Sequence, residues 1–306
     1  MIDLKKKRSV IGFLVFSLFG YGIYKGFRHY KKERSRVLSR IAALEEGFLE
    51  VELKRFYRER GVDLNRFYVN DGYRNPNAYI AHGGGIGNFT YTNSREGVLN
   101  ALKEHKFKFI ELDFLETSDG WLVGGHDWKW FRRMTKVTGE GALKLNEARE
   151  LLIEGKYHPI FAEDVRSLMK ENEDLFILTD KIKNFNLLVK ELGNIERLIV
   201  EVFDPVDYVR AIAAGVKYPV FCIAKPELLH VAKKYRFPIV TMDAANFFDS
   251  EENIQKVQQL HDEGVTIFLY WNDYSFRDES TWIRKYLGRT VSKIYTDKWS
   301  PEVLPE

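Results

Sequence analysis

From residue 78 onward the chain alternates short apolar runs with stretches of helical spacing, and that alternation leaves few folds open. The runs cover residues 78–81, 108–114, 121–123, 175–178, 198–203, 218–223, 239–242, 266–271 and 293–296. The helices between them carry their own start and stop signals. Asp204 stands before Pro205, a capping acid ahead of a first-turn proline, and Ser250 precedes Glu251 and Glu252. Gly193, Gly264 and Gly288 sit where helices should end. One run does not fit a parallel sheet. Only residues 115–120 separate the second run from the third, and parallel neighbours need a crossover of about a dozen residues or more. Ser118-Asp119-Gly120 is instead a hairpin turn, so 121–123 returns antiparallel on the second strand. Eight strands remain, and βα alternation over the rest of the chain predicts a (β/α)8 TIM barrel. An open doubly wound sheet is the alternative.

The N-terminus is of a different kind. Residues 10–24 are uncharged and apolar, and a helix over 9–27 would reach about 28 Å, enough to cross a bilayer with Lys25 snorkelling. A cleaved signal peptide is the rival, but no small-residue cleavage site follows and Lys25, Arg28, Lys31 and Lys32 come at once. The expectation is an uncleaved single-pass anchor, of bacterial inner-membrane type. The flanking cations and the short basic tail point to opposite orientations, which leaves the side of the following domain open. Residues 33–62 repeat Leu38, Ile41, Leu44, Phe48, Val51 and Phe56 at helical spacing, and 62–77 reads as a connecting loop. The expected organisation is an anchor over 1–32, a helical stalk and linker over 33–77, and the barrel over 78–306. Residues 1–40 carry a balance of +9, whereas the remainder has 36 basic and 42 acidic residues. The basic surplus therefore belongs to the membrane segment, and the globular part has no nucleic-acid footprint. A single cysteine, Cys222, excludes an intrachain disulfide framework.

Barrel active sites form at the C-terminal ends of strands. His82 ends the first strand, and Glu111 and Asp113 lie two apart on the second, so they share a face. Two carboxylates in one space repel unless a cation joins them, and hard oxygen ligands favour Mg²⁺ or Ca²⁺. Asp180, after the third strand, offers a third oxygen. His126 follows the hairpin and overhangs the mouth, so His82 and His126 together supply a general acid and a general base. Each residue also has a plain structural role open to it. His82 could be a packed histidine, Glu111 a partner of Lys108, and Asp180 a helix cap. Asp127 could cap a helix or orient His126. The run Trp128-Lys129-Trp130-Phe131-Arg132-Arg133 could be a lid, a stacking surface or a packed loop, and Glu201 is expected in an ion pair.

The segment Ala81-His82-Gly83-Gly84-Gly85, then Asn93-Ser94, then Glu111-Leu112-Asp113, Thr117, Asp119-Gly120, Val123 and His126-Asp127 resembles the glycerophosphodiester phosphodiesterase family. This family lies within the phosphatidylinositol-phospholipase-C-like barrels. The resemblance spans about residues 78–300 and is most specific over 111–127. It implies that His82 and His126 act as acid and base, and that Glu111, Asp113 and Asp180 bind a divalent cation. It also implies a phosphodiester substrate: a glycerophosphodiester, a phospholipid or a phosphate-linked surface glycan. Trp271-Asn272 is similar to the family's late aromatic at the site mouth, and Thr296-Asp297 to its final strand end. The departures bear on substrate. The family has Arg after the first His where this chain has Gly83, and Glu before the Asn-Thr pair where this chain has Thr92. Its third carboxylate is a Glu two residues before a Lys, whereas Asp180 here precedes Ile182, with Lys181 and Lys183 either side of that residue. Gly83 and Gly84 could offer backbone amides to an oxyanion in place of the arginine, or could form a plain tight turn. Lys181 is a candidate phosphate contact. The expected function is membrane-anchored, metal-dependent phosphodiester hydrolysis; the alternatives are a catalytically impaired barrel that binds an anionic lipid or glycan, and a hydrolase or lyase specialised for phospholipid or phosphate-linked surface polysaccharide.

Overall fold

The computed structural model describes residues 72–193, 195–271 and 279–305, together with residues 51, 53, 55, 56 and 67. The expected anchor over 9–27, most of the stalk over 33–77, and Asn272 lie outside the described residues. Among the described residues no helix is long and apolar enough to cross a membrane.

The strands β1 (Tyr79–Ala81), β2 (Phe109–Glu111), β3 (Phe114–Glu116), β4 (Leu122–Gly124), β5 (Phe176–Thr179), β6 (Leu198–Val202), β7 (Tyr218–Ile223), β8 (Ile239–Asp243), β9 (Thr266–Tyr270) and β10 (Lys293–Thr296) follow in chain order. Eight of them close into a barrel in the order β1-β10-β9-β8-β7-β6-β5-β2, with parallel pairing all round. The remaining two, β3 and β4, pair antiparallel as a separate hairpin, Leu115 opposite Val123. The open-sheet alternative is thereby removed. The hairpin turn is set by short polar side chains: Thr117 Oγ1 donates to Asp119 Oδ1 at 2.7 Å and accepts from the Trp121 amide at 2.9 Å.

Helices α1 (Arg95–Lys103), α2 (Trp128–Thr135), α3 (Leu145–Arg149), α4 (Ala162–Glu171), α5 (Phe185–Leu192), α6 (Pro205–Ala214), α7 (Leu229–Tyr235), α8 (Ala244–Phe247), α9 (Glu251–Asp262) and α10 (Glu279–Tyr286) accompany the strands. Their ends follow the local signals. Ser94, Asp204 and Ser250 each accept a first-turn amide with their side chains, and Gly193 closes α5 at φ +71°. The tryptophan-rich run forms α2, capped by Asp127, with Trp128 packed on Phe131 at 5.4 Å. Arg132 donates to the carbonyls of Thr138, Glu140 and Gly141. The aromatics of α2 thus fill a small satellite core under the hairpin.

Strand alternation builds two concentric cores. One fills the layer between the barrel and the helices, and Leu53 belongs to it. The other fills the barrel interior with Ile80, Phe109, Phe176, Leu178, Ile199, Tyr218, Val220, Ile239, Phe268 and Tyr295. Phe67, which lies ahead of β1, is fully buried inside this second core. Its ring meets Phe109, Phe176, Tyr218 and Phe268 edge-on at 4.8–6.4 Å, so it plugs the floor of the barrel. Lys293 is also fully buried there, with Nζ 3.6 Å from the Phe109 ring centroid and donating to the Asn77 carbonyl. Burial drives its pKa well down. The same alternation carries each strand from an apolar floor to a polar mouth: Phe109 leads to Glu111 and Asp113, and Phe176 and Leu178 lead to Asp180.

Candidate active site

At the mouth lies a cavity of about 240 Å³ lined by His82, Tyr91, Glu111, Asp113, Asp180 and Lys181, with Glu201, Phe203, Ala224, Tyr270 and Tyr295 completing its wall. Oxygen atoms of Glu111, Asp113 and Asp180 all lie within 4.8 Å of one another. Glu111 is held by the Gly83 amide, which donates to its Oε2 at 2.7 Å. Asp113 is clamped by Asn93 in a reciprocal pair: the Asp113 amide donates to Asn93 Oδ1 at 2.9 Å, and Asn93 Nδ2 donates to Asp113 Oδ2 at 3.0 Å. Asp180 receives Lys181 Nζ at 2.6 Å, and the same ammonium lies 3.7 Å from Asp113.

The electrostatics fit a cation. Burial, then the charges of Asp113 and Asp180, push the Glu111 carboxyl well up, against the opposing Gly83 amide and Lys181. Burial and Asp180 push Asp113 up to about 6. Burial opposes the charge of Lys181, but Asp180 and Asp113 outweigh it and raise its pKa. Three converging carboxylates with one ammonium leave a surplus of negative charge in a poorly hydrated place. A divalent ion with oxygen preference relieves that surplus, and Glu111, Asp113 and Asp180 are the residues that would hold it.

Both histidines have a carboxylate at Nδ1. His82 Nδ1 lies 3.4 Å from Asp297 Oδ1, and its ring packs between Tyr91 at 4.4 Å and Tyr295 at 5.8 Å. His126 Nδ1 lies 3.0 Å from Asp127 Oδ2. Asp127 thus takes both roles foreseen for it, since its Oδ1 caps α2 by accepting from the Trp130 amide at 2.7 Å. That bond first, and His126 second, hold its carboxyl below the usual range. His126 is more exposed than His82 and is not among the residues lining the cavity. It stands at the rim, 6.2 Å from Tyr91.

Several candidates sit differently from expectation. Trp271 does not face the cavity. It packs on Trp282 at 5.2 Å in the outer core, because strand alternation through Phe268 and Tyr270 turns the next residue outward, and Tyr270 lines the cavity instead. Gly83 does not offer its amide to an oxyanion, since Glu111 already accepts it. A Cβ at Gly83 would fall 2.7 Å from Tyr91 Cα, and one at Gly84 would fall 3.0 Å from Leu112, so close approach explains these glycines. Glu201 makes hydroxyl bonds rather than the expected ion pair. It accepts from Thr241 Oγ1 at 2.7 Å and Tyr295 Oη at 3.0 Å, and burial, then Asp180, raise its pKa. Asn93, Asp297 and Tyr91 join the site without a role that local spacing assigns them. Asn93 and Asp297 fall in stretches of family resemblance, whereas nothing in the spacing marks Tyr91.

No protein-family model and no curated relative matches the sequence. Solved structures do. A glycerophosphoryl diester phosphodiesterase from Parabacteroides distasonis aligns with 78% of this chain and 87% of its own, at 18% identity and a TM-score of 0.59. A glycerophosphodiester phosphodiesterase from Thermotoga maritima aligns with 72% of this chain and 95% of its own, at 18% identity and a TM-score of 0.58. One from Agrobacterium tumefaciens aligns with 75% of this chain and all of its own, at 20% identity and a TM-score of 0.56. The barrel of this chain therefore has the fold of these proteins.

Proposed function

We propose that this chain is a divalent-cation-dependent phosphodiester hydrolase of glycerophosphodiester phosphodiesterase type. The observation that carries the reading is the carboxylate trio of Glu111, Asp113 and Asp180, with oxygens within 4.8 Å of one another in the cavity that His82 also lines. A bound cation there supplies positive charge to the non-bridging phosphate oxygens. The chain's own groups do the rest. Asp297 and Asp127 occupy the Nδ1 side of His82 and His126, which leaves each Nε2 for proton transfer. One imidazole takes a proton from the attacking hydroxyl or water, and the other returns one to the departing alkoxide. Lys181, beside Asp113 and Asp180, places a fixed ammonium at the same phosphate.

A cavity of about 240 Å³ takes a phosphate and one small ester group. Phe203, which lines the cavity and is 52% exposed, offers an apolar surface to a larger second ester. That supports substrates whose second group is large, a phospholipid or a phosphate-linked glycan, alongside simple glycerophosphodiesters. The apolar run over 10–24, read as the core of a membrane anchor, supports the same choice. The test is hydrolysis of a model diester with Mg²⁺, Ca²⁺ or Mn²⁺ by the protein and its His82→Ala and His126→Ala variants. Each variant is expected to lose about 10²- to 10⁴-fold in kcat while staying folded. Metal-dependent turnover that survives both substitutions overturns the assignment.

A further inference from the structure

Among the described residues lining the cavity, Tyr91 alone combines a side chain with a left-handed backbone, at φ +58°. A bulky residue rarely adopts that conformation, and it persists only where the surroundings over-determine it. Here they do. The Thr92 amide donates to the Phe89 carbonyl at 3.1 Å, the Asn93 amide to the Gly83 carbonyl at 2.8 Å, and Thr92 Oγ1 to the Phe89 carbonyl at 2.9 Å. Gly83 completes the setting, because a Cβ there would fall 2.7 Å from Tyr91 Cα and 3.3 Å from its Cγ. The bare glycine beside His82 is what lets the Tyr91 ring come in. The ring then stands against both histidines, 4.4 Å from His82 at 67° and 6.2 Å from His126 at 52°.

We infer that Tyr91 is a positioning residue: its ring is the spacer that fixes His82 and His126 relative to each other across the mouth of the cavity. This rests on the hydrolase reading for its catalytic consequence, though not for its geometry. His82 has further support from Tyr295 and Asp297. His126 hangs at the end of the hairpin with Asp127 beside it and exposed surface around it. The ring is therefore the packing surface that ties the rim histidine to the buried one. An acid and a base that serve the two oxygens of one phosphorus must keep a set separation, and misplacement by about 1 Å costs on the order of 100-fold in rate.

The decisive variant is Tyr91→Gly, which removes the ring and adopts φ +58° without strain, so the fold is retained. Tyr91→Phe keeps the ring alone. With the full chain and a divalent cation, Y91G is expected to lower kcat by about 10- to 100-fold and to change KM by less than about threefold. Y91F is expected to restore the lost turnover. In ¹H–¹³C spectra of histidine-labelled protein, the imidazole signals of both His82 and His126 should move in Y91G and return in Y91F, through loss and recovery of the ring current. An unchanged kcat in Y91G, a loss that persists in Y91F, or movement of only one histidine overturns the spacer. If the unmodified protein hydrolyses no diester, the hydrolase reading fails and the spectra alone decide the spacer.

Discussion

Replacing Asp113 by asparagine should stabilise the cation-free protein while abolishing its response to cations. The carboxyl is nearly buried and is raised from an ordinary 3.8 to about 6, chiefly by burial and by Asp180. A group whose folded pKa is raised stabilises the fold fully below its unfolded value and loses that contribution as pH rises through the folded one. For Asp113 the loss runs from about pH 4 to about pH 7. At about 1.4 kcal/mol per pH unit, the ionised form costs the fold about 3 kcal/mol at pH 8. Asparagine has the same shape and carries no charge. Its backbone amide still donates to Asn93 Oδ1, its side-chain oxygen still accepts from Asn93 Nδ2, and Lys181 keeps Asp180 at 2.6 Å. D113N should therefore unfold in urea with about 2–3 kcal/mol more stability than the unsubstituted protein at pH 8 in EDTA. The gap should close as pH falls towards 4. Adding Mg²⁺ or Ca²⁺ at pH 8 should raise the stability of the unsubstituted protein and leave D113N unmoved. If D113N is less stable than its parent in EDTA at pH 8, the charge of Asp113 is not penalised and the trio has no need of a cation.

Three other substitutions probe the frame of the site. Asn93→Ala removes both bonds that orient Asp113, and cation affinity measured by calorimetry should fall about 10- to 100-fold with the fold retained. Gly83→Ala meets φ +55° and a Cβ 2.7 Å from Tyr91 Cα, so it should destabilise by at least about 2 kcal/mol in urea and weaken activity together with stability. Phe67→Ala empties the barrel floor and should cost about 3–5 kcal/mol of unfolding free energy, while kcat of the folded protein stays within about twofold.

The barrel was legible because short apolar runs and helix caps are local signals. Asp204 before Pro205, Ser250 before Glu251 and the turn at Asp119-Gly120 each appear in the structure in the role their chemistry implies. The carboxylate trio was legible only in part: a spacing of two carries the inward face from Glu111 at the end of β2 to Asp113 just beyond it, whereas Asp180 joins them because β5 pairs beside β2. Trp271 was misplaced although the needed signal was present: counting by twos from Phe268 puts Tyr270, not Trp271, toward the cavity. The partners of Glu201 could not be read, because Thr241 and Tyr295 reach it from other strands and only barrel closure brings them together. The clamp on Asp113 likewise joins residues twenty apart through an irregular loop. Tyr91 was hidden most deeply, since a left-handed tyrosine leaves no trace in composition or period.

Phe67 bears on where this molecule can be divided. A βα barrel invites thinking in exchangeable units, each strand with its helix, and a cut just before β1 looks natural. Here one ring at the centre of the floor comes from ahead of the first unit and touches side chains from four different strands. A fragment beginning at residue 78 would keep every strand and every proposed catalytic group, yet would lack the piece that fills its own base. Truncations, permutations or grafts of this barrel should carry residue 67 with them, as part of the fold and not as a leader to it.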